Sequence, residues 1–306
     1  MYGRPNFTED AHSIYPAKGT KAYQGFEINE TLFQGKSPYQ DVAIYTNDAL
    51  GKVLVLDGIV QITTADEFVY QEMMAHVPVF SCPNEDKNVL IIGGGDGGIL
   101  REVLRHNSVK KAVMAEIDQM VIDACTRHMP EINNGGKVYE DPKAELIVGD
   151  AFDYVRKTDI KFDAVIIDST DPIGPGEKLF SDEFYRNLSK ILTEDAFIAT
   201  QGGVPFFQPG EAAGTLASLN KAGLRESCYI AAVPTYYGGY MTLGFASNTK
   251  REELLPNIET LKEAYAKEGF ATKHYSPEMH LASFVLPPWI KQDIEGQKQN
   301  DRKEAA

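Results

Sequence analysis

Acids stand at the places where apolar runs give way to turns. Asp96 lies inside a glycine-rich stretch, Gly93-Gly-Gly-Asp-Gly-Gly98. Glu116 closes Ala112-Val-Met-Ala-Glu116, and Asp150 follows Glu145-Leu-Ile-Val148 and Gly149. Asp168 ends Phe162-Asp-Ala-Val-Ile-Ile-Asp168, with Asp171 three residues on. Carboxylates gathered at one place bind cations, and one of them can take a proton from a reacting group. In an open α/β sheet the strand C-termini form a single rim, and ligands bind along it. Successive strands that each end in an acid therefore predict one negatively lined crevice. Beyond Asp168 runs Ser169-Thr-Asp-Pro-Ile-Gly-Pro-Gly-Glu-Lys-Leu-Phe180, an irregular loop shaped by prolines and glycines. Long loops outside strand ends are commonly functional.

The elements that position these acids read as alternating strands and helices. Val89 to Ile92 is a short apolar run fit for the middle of a parallel sheet. It turns through glycines into Ile99 to His106, which has helical spacing. Gly93, Gly95 and Gly98 satisfy G-x-G-x-x-G, a nucleotide-binding pattern when it joins a strand to a helix. Glu116, at the end of the next strand, stands where an acid meets a ribose hydroxyl pair. Asp96 is the departure, since it puts a carboxylate in a turn that ordinarily presents only backbone.

The rest of this half continues the alternation. Helices are expected at Asp118–His128, Ala151–Lys157, Asp182–Leu192, Glu211–Ala222 and Glu252–Lys267. Further strands fall at Phe197–Thr200, Tyr229–Val233, Met241–Ala246 and, last, Leu281–Leu286. The charged tail from Gln292 reads as frayed. The pattern predicts a mostly parallel sheet covered on both faces. Ahead of it, residues 1–20 read as a loose arm. Gly25–Glu30, Asp41–Thr46, Gly51–Leu56 and Ile59–Thr63 read as antiparallel strands, with Asp57-Gly58 as a hairpin turn. A helix from Asp66 to His76, capped by Thr63 or Thr64, then leads out. The expected division is residues 1–80 as a small β-domain and 81–306 as a Rossmann-like α/β domain.

Composition narrows the function. The formal net charge of −14 over 306 residues argues against nucleic acid and suits a cationic substrate, although solubility alone accounts for it equally well. Cys82, Cys125 and Cys228 have neither zinc spacing nor a disulfide framework, and the six histidines form no H-x-x-x-H pair, so no metal is expected. No run approaches the ~20 apolar residues of a membrane span, and no secretory signal pattern opens the chain. The expected location is the cytoplasm.

The combination GGGDGG, AEID, GDA and DSTDPIGPGEKLF resembles the polyamine aminopropyltransferases, above all the bacterial spermidine synthases. The likeness extends through SPYQDVAIY, VLDGIVQITTADEFVYQEMMAHVP and PTYYGG, and covers roughly residues 20 to 290. It implies a methyltransferase-type Rossmann domain carrying an N-terminal β-domain, in homodimers or homotetramers. The implied reaction moves an aminopropyl group from decarboxylated S-adenosylmethionine, a co-substrate and not a resident cofactor, to putrescine. Spermidine and 5′-methylthioadenosine are the implied products. By the same resemblance Asp168 matches the catalytic base and Glu116 the ribose ligand. Asp150 with Ala151 matches the adenine contact, and Gln40 and Pro175 match nucleoside-site positions. Tyr70, Gln71, Asp96, Asp171 and Tyr236 match amine-binding positions. Gln71 stands where some bacterial relatives have His, which leaves cadaverine, agmatine or a longer amine open as acceptor.

The chemistry has use for these residues. The donor is a sulfonium with an ammonium arm, and the acceptor is a diamine. Asp96 would attract the decarboxylated donor and repel the carboxylate of ordinary S-adenosylmethionine. That distinguishes this reading from an amine N-methyltransferase. An NAD-dependent dehydrogenase, suggested by the glycines and Glu116, leaves Asp168-Ser-Thr-Asp171 without a role. A non-catalytic polyamine sensor would have no need of Asp168.

Overall fold

In the computed structural model, residues 6–10, 23–169 and 178–304 are described. Strands β1 (Phe7–Asp10) and β2 (Tyr23–Phe26) pair antiparallel. Strands β3 (Glu30–Lys36), β4 (Asp41–Asn47), β5 (Gly51–Leu56) and β6 (Ile59–Thr63) form a four-stranded antiparallel sheet in chain order. Helix α1 (Glu67–Ser81) leads into β7 (Lys87–Gly93), α2 (Gly98–Leu104) and β8 (Val109–Glu116). There follow α3 (Gln119–His128), the short α4 (Pro130–Asn133), a 3-10 turn over Asn134–Glu140 and β9 (Ala144–Val148). Next come α5 (Ala151–Lys157), β10 (Phe162–Asp168), α6 (Asp182–Lys190) and β11 (Leu192–Gln201). The chain closes with α7 (Glu211–Lys221), β12 (Arg225–Ala232), β13 (Tyr240–Ser247), α8 (Ile258–Glu268), α9 (Pro277–Ser283) and α10 (Pro288–Glu304).

The large sheet has the order β12-β13-β11-β10-β7-β8-β9. Its strands β11, β10, β7, β8 and β9 run parallel, whereas β13 runs against β11 and β12 against β13. The order reverses between β7 and β10, which is where such sheets leave a crevice. Val89, Leu90, Ile91 and Ile92 are fully buried, as a strand covered on both faces requires. Helix α1 packs into the same core as Val89 and Ile91, through Met73, Met74 and Val77. The β-domain turns Val42, Ile44, Leu54 and Ile62 onto Val121, Ala124 and Cys125 of α3. That seam sets the small sheet beside the strand rim.

Several expectations need correcting. Part of the arm expected to be loose forms β1. The strand expected over Gly25–Glu30 is divided, because β2 stops at Phe26 and β3 starts at Glu30. Helix α1 has Asp66 in the capping position and no side-chain cap; the Thr63 hydroxyl donates to Asp66 Oδ1 at 2.6 Å. The last expected strand, Leu281–Leu286, is not a strand: its first three residues close helix α9, which Pro277 opens and where Ser276 accepts from the Met279 N–H at 3.0 Å. The tail is helical to Glu304, anchored by Ile290 and Ile294 four residues apart on one face. Helix α8 begins at Ile258 and not at Glu252, since Pro256 precedes its Asn257 cap.

Candidate active site

The site begins with the backbone at the end of β7. Gly93 sits directly opposite Asp168 in the β7–β10 register and has a φ of 79°. A Cβ there would run into the Asp168 carbonyl, so only glycine lets the two strand ends meet. Gly94 and Gly97 also take positive φ, which swings the chain round Asp96 and into α2. A Cβ on Gly95 would stand 3.0 Å from Glu116 Oε2. The turn and the neighbouring acid are thus fitted to each other.

Four of the predicted acids meet here, three of them at the centre of the site and Asp150 at its rim. Asp96, Glu116 and Asp168 line one cavity at the β7–β10 switch point, with about 1150 Å³ of empty space that opens to solvent. Gln40, Tyr70, Gln71, Gly93, Gly95, Asp150, Ala151 and Tyr236 line it as well. Asp171 and Pro175 lie outside the described residues.

Each acid is held by specific donors. Asp96 is buried, and its Oδ1 accepts from Gln71 Nε2 and from the Gly98 N–H, both at 2.8 Å. Burial, with the Asp168 charge added, pushes the Asp96 carboxyl up to about 7. Asp168 accepts from the Tyr70 hydroxyl at 2.7 Å. Burial raises its carboxyl to about 6 against the pull of that bond. Glu116 Oε1 accepts from the Asp118 N–H at 2.7 Å, and burial takes its carboxyl to about 7. Crowded carboxylates with little water around them resist ionisation until a cation arrives. Asp150 is exposed at the rim, and one of its oxygens caps α5 by accepting from the Phe152 N–H at 2.8 Å.

The aromatic wall is built from two elements. Tyr70 of α1 and Tyr236 of the loop after β12 bring their rings to 5.7 Å. The Tyr236 hydroxyl donates to the Gln61 carbonyl at 2.8 Å. Asp66 steadies that loop by accepting from the Thr235 N–H at 2.9 Å and its hydroxyl at 2.7 Å. Burial, then the Asp168 charge, puts the Tyr70 phenol well above its ordinary range, so it is a fixed donor.

Sequence reasoning named Gln40 from the β-domain but missed Tyr39, Asp57 and Gln61, which also line the cavity. Gln40 Nε2 donates to Asp118 Oδ2 at 2.9 Å, and the Ser37 hydroxyl donates to the same oxygen at 2.7 Å. Asp118 also caps α3 by accepting from the Met120 N–H at 3.0 Å. One buried acid thus ties the small sheet to the Glu116 strand end. Its sequence signals are a cap position before a helix and its place at the end of AEID.

The chain is similar to proteins of known family. Residues 67–255 match the spermine/spermidine synthase domain, and residues 16–64 the spermidine synthase tetramerisation domain. A polyamine aminopropyltransferase of Pectobacterium atrosepticum is 44% identical over 267 residues, covering 87% of this chain and 92% of that one. Polyamine aminopropyltransferase 1 of Pseudomonas aeruginosa is 42% identical over 283 residues, covering 91% and 97%. A crystal structure of spermidine synthase in complex with the transition state analogue AdoDATO superposes with a TM-score of 0.84 at 36% identity, covering 96% of this chain and 98% of that one.

Proposed function

We propose that this chain, which belongs to the spermine/spermidine synthase family of aminopropyltransferases, transfers the aminopropyl group of decarboxylated S-adenosylmethionine to putrescine. The observation that carries the proposal is the convergence of Asp96, Glu116 and Asp168 on one cavity, with no lysine or arginine among the described residues of its lining. Both substrates are cations. One opposed pair of charges at 4 Å is worth about 4 kcal/mol at an effective dielectric of 20. A notch lined with carboxylates brings two cations together that would otherwise repel.

The resemblance assigns the roles, and position supports those of the described residues. Glu116, at the end of β8, takes the ribose hydroxyls, while Asp150 and Ala151 at the start of α5 receive the adenine. Gln40 and Pro175 complete the nucleoside site. Asp96 faces the ammonium of the aminopropyl arm. Tyr70 and Tyr236 flank the methylene chain and ammonium of the diamine, and Asp171 joins Asp168 on its other end. Gln71 acts through Asp96, because its amide nitrogen is committed to that carboxylate.

The amine nitrogen attacks the methylene carbon bonded to sulfur. The new N–C bond forms as the C–S pair withdraws onto sulfur, which leaves as a neutral thioether, 5′-methylthioadenosine. The attacking nitrogen must first be neutral. For an amine with a pKa near 10.4, deprotonation at pH 7 costs roughly 4.6 kcal/mol. The positive sulfonium lowers that cost, and Asp168 accepts the proton. Spermidine is the other product.

Homo-oligomers are expected, supported by the match of residues 16–64 to a tetramerisation domain. Among the described residues no helix is long and apolar enough to cross a membrane, and we place the enzyme in the cytoplasm. The test is to incubate the purified protein with decarboxylated donor and a panel of amines, then identify products by mass spectrometry. Spermidine formed fastest from putrescine supports the reading. Preferential use of cadaverine, agmatine or a longer amine would correct the acceptor. Methyl transfer from ordinary S-adenosylmethionine would replace the reaction.

A further inference from the structure

Arg101 lies one turn into α2 and does not line the cavity. Its guanidinium is nonetheless used on every side. Nη2 donates to Glu67 Oε2 at 2.8 Å, Nε to Glu102 Oε1 at 2.8 Å, and Nη1 to the Ile132 carbonyl at 2.8 Å. The remaining reach of Nη2 goes to Gln71 Oε1 at 3.2 Å. Gln71 is 1% exposed and fills the space that a side chain on Gly98 would occupy. Its other end, Nε2, donates to Asp96 Oδ1. A continuous chain therefore runs from two buried carboxylates, through a guanidinium and a carboxamide, to the acid that faces the substrate.

A carboxamide in a tight slot has two orientations, and they are not equivalent here. With its nitrogen toward Asp96, it donates to a carboxylate and favours the ionised form. Turned over, it would set its oxygen against that carboxylate, and only a protonated Asp96 could pair with it. Arg101 offers donors and no acceptor, so it selects the first orientation. We propose that Arg101 is a positioning residue for the donor's ammonium arm: it fixes the carboxamide of Gln71 so that Asp96 is presented to the substrate as an anion.

Asp96 is poised where such help counts. It feels Asp168 from β10, Glu67 from α1 and Glu116 from β8, all acids. It also faces Tyr236 from the loop after β12, Tyr139 from the 3-10 turn and Cys125 from α3. Against these stand the Gly98 N–H and the Arg101 guanidinium. With its carboxyl near 7, the loss of one oriented donor changes its charge at physiological pH.

The inference rests on the proposed function for its substrate, but a ligand-free measurement tests it separately. Arg101→Met, Arg101→Lys, Gln71→Met and the Arg101→Met/Gln71→Met pair are compared in steady-state assays from pH 6 to 9. Arg101→Met is expected to raise the donor KM about tenfold at pH 7. It should move the acid limb of kcat/KM upward and recover toward wild type at pH 9. Gln71→Met should behave alike, and the double variant should be no worse than either, since both act through one bond. Arg101→Lys keeps the charge between Glu67 and Glu102 but lacks the fork, and it covers the case in which Arg101→Met does not fold. An unmoved acid limb, or additive losses in the double variant, would overturn the role. If wild type turns over no decarboxylated donor, the functional reading fails, and the pH at which Asp96 titrates decides this inference. That pH is read without ligand from the melting difference between each background and its Asp96→Asn partner. It should rise in the Arg101 variants, and no rise refutes the proposal.

Discussion

The Tyr70 hydroxyl donates to Asp168 Oδ1 at 2.7 Å, joining α1 to the end of β10. The two residues come from elements far apart in the chain, and the bond sets the proton affinity of the proposed base. Burial pushes the Asp168 carboxyl up, and the Tyr70 bond holds it down to about 6. In Tyr70→Phe the carboxylate loses a donor and its pKa rises further. The acid limb of kcat/KM should therefore move to higher pH. Activity at pH 6 should fall about tenfold or more, and the profiles should converge above pH 8. Tyr236→Phe, which loses a bond to the Gln61 carbonyl instead, should leave the limb in place. A pH–rate profile of the two variants side by side checks this.

Asp168→Asn keeps an acceptor for Tyr70 and removes the base. Turnover should drop by about 10²–10⁴. Affinity for decarboxylated donor, measured by calorimetry, should change far less, because Glu116 and Asp96 are untouched. Turnover near the wild-type level would take Asp168 out of the proton transfer.

Donor choice should depend on pH in a way that follows from Asp96. Its carboxyl titrates near 7, so the charge that repels ordinary S-adenosylmethionine is only partly present at pH 6 and nearly complete at pH 8. The preference of wild type for the decarboxylated donor, taken as a ratio of dissociation constants, should widen over that range. In Asp96→Asn the ratio should be flat and lower by about a hundredfold or more at pH 8. Equal ratios in the two proteins would remove Asp96 from discrimination.

What the sequence disclosed, and what it hid, divides along physical lines. The rim acids were legible because Asp96, Glu116 and Asp168 each follow an apolar run that can only be a buried strand. Strand ends in one sheet share an edge, so local pattern implied a tertiary meeting point. The Arg101–Gln71–Asp96 chain was not legible, because it depends on two helices crossing where Gly98 has no side chain. The Gln40–Asp118 bond was hidden for the same reason: it crosses the seam between sheets. The stretch Leu281–Leu286 reads as strand because it is short and apolar, whereas the Ser276-Pro277 start that makes its first three residues the end of α9 lies outside it. Residues 170–177, where Asp171 and Pro175 fall, lie outside the described part of the chain and leave those two roles as proposals.

The acid cluster should also mark the stability curve. Asp96, Glu116 and Asp168 have folded-state pKa values raised to about 7, 7 and 6. Groups of this kind stabilise the fold below the unfolded-state pKa of about 4, and that contribution is lost as pH rises through 6 and 7. His106 and His280, held neutral by burial with values near 4 and 3, act oppositely and cost stability as pH falls below about 6.5. The wild-type curve therefore sums two trends, and a difference between proteins isolates one. Asp96→Asn should match wild type in Tm near pH 4 to 5 and exceed it by several degrees, roughly 5 °C, at pH 8. A decarboxylated donor, being cationic, should stabilise wild type more than the variant at that pH. Thermal scans across pH with and without ligand measure both effects.

Gly98 and Gly93 separate function from folding within a single turn. Gly98 lies in the first turn of α2 without a positive φ, so its backbone accepts alanine, which favours helix by about 1 kcal/mol. The obstacle is Gln71, whose carboxamide occupies the place of the new methyl group. Gly98→Ala should fold with a Tm within about 2 °C of wild type while displacing the amide and weakening donor binding about tenfold. Shortening the obstructing side chain in Gly98→Ala/Gln71→Ser relieves the collision but restores no donor to Asp96, so the KM for decarboxylated donor should stay high. Gly93→Ala meets backbone instead. Its φ of 79° disfavours any side chain, and the added Cβ faces the Asp168 carbonyl, which cannot swing aside without parting β7 from β10. That variant should lose stability and activity together. Calorimetric melting alongside amine and donor KM values for the three variants tests the distinction, and a stable, active Gly93→Ala would show that the strand ends need not meet so closely.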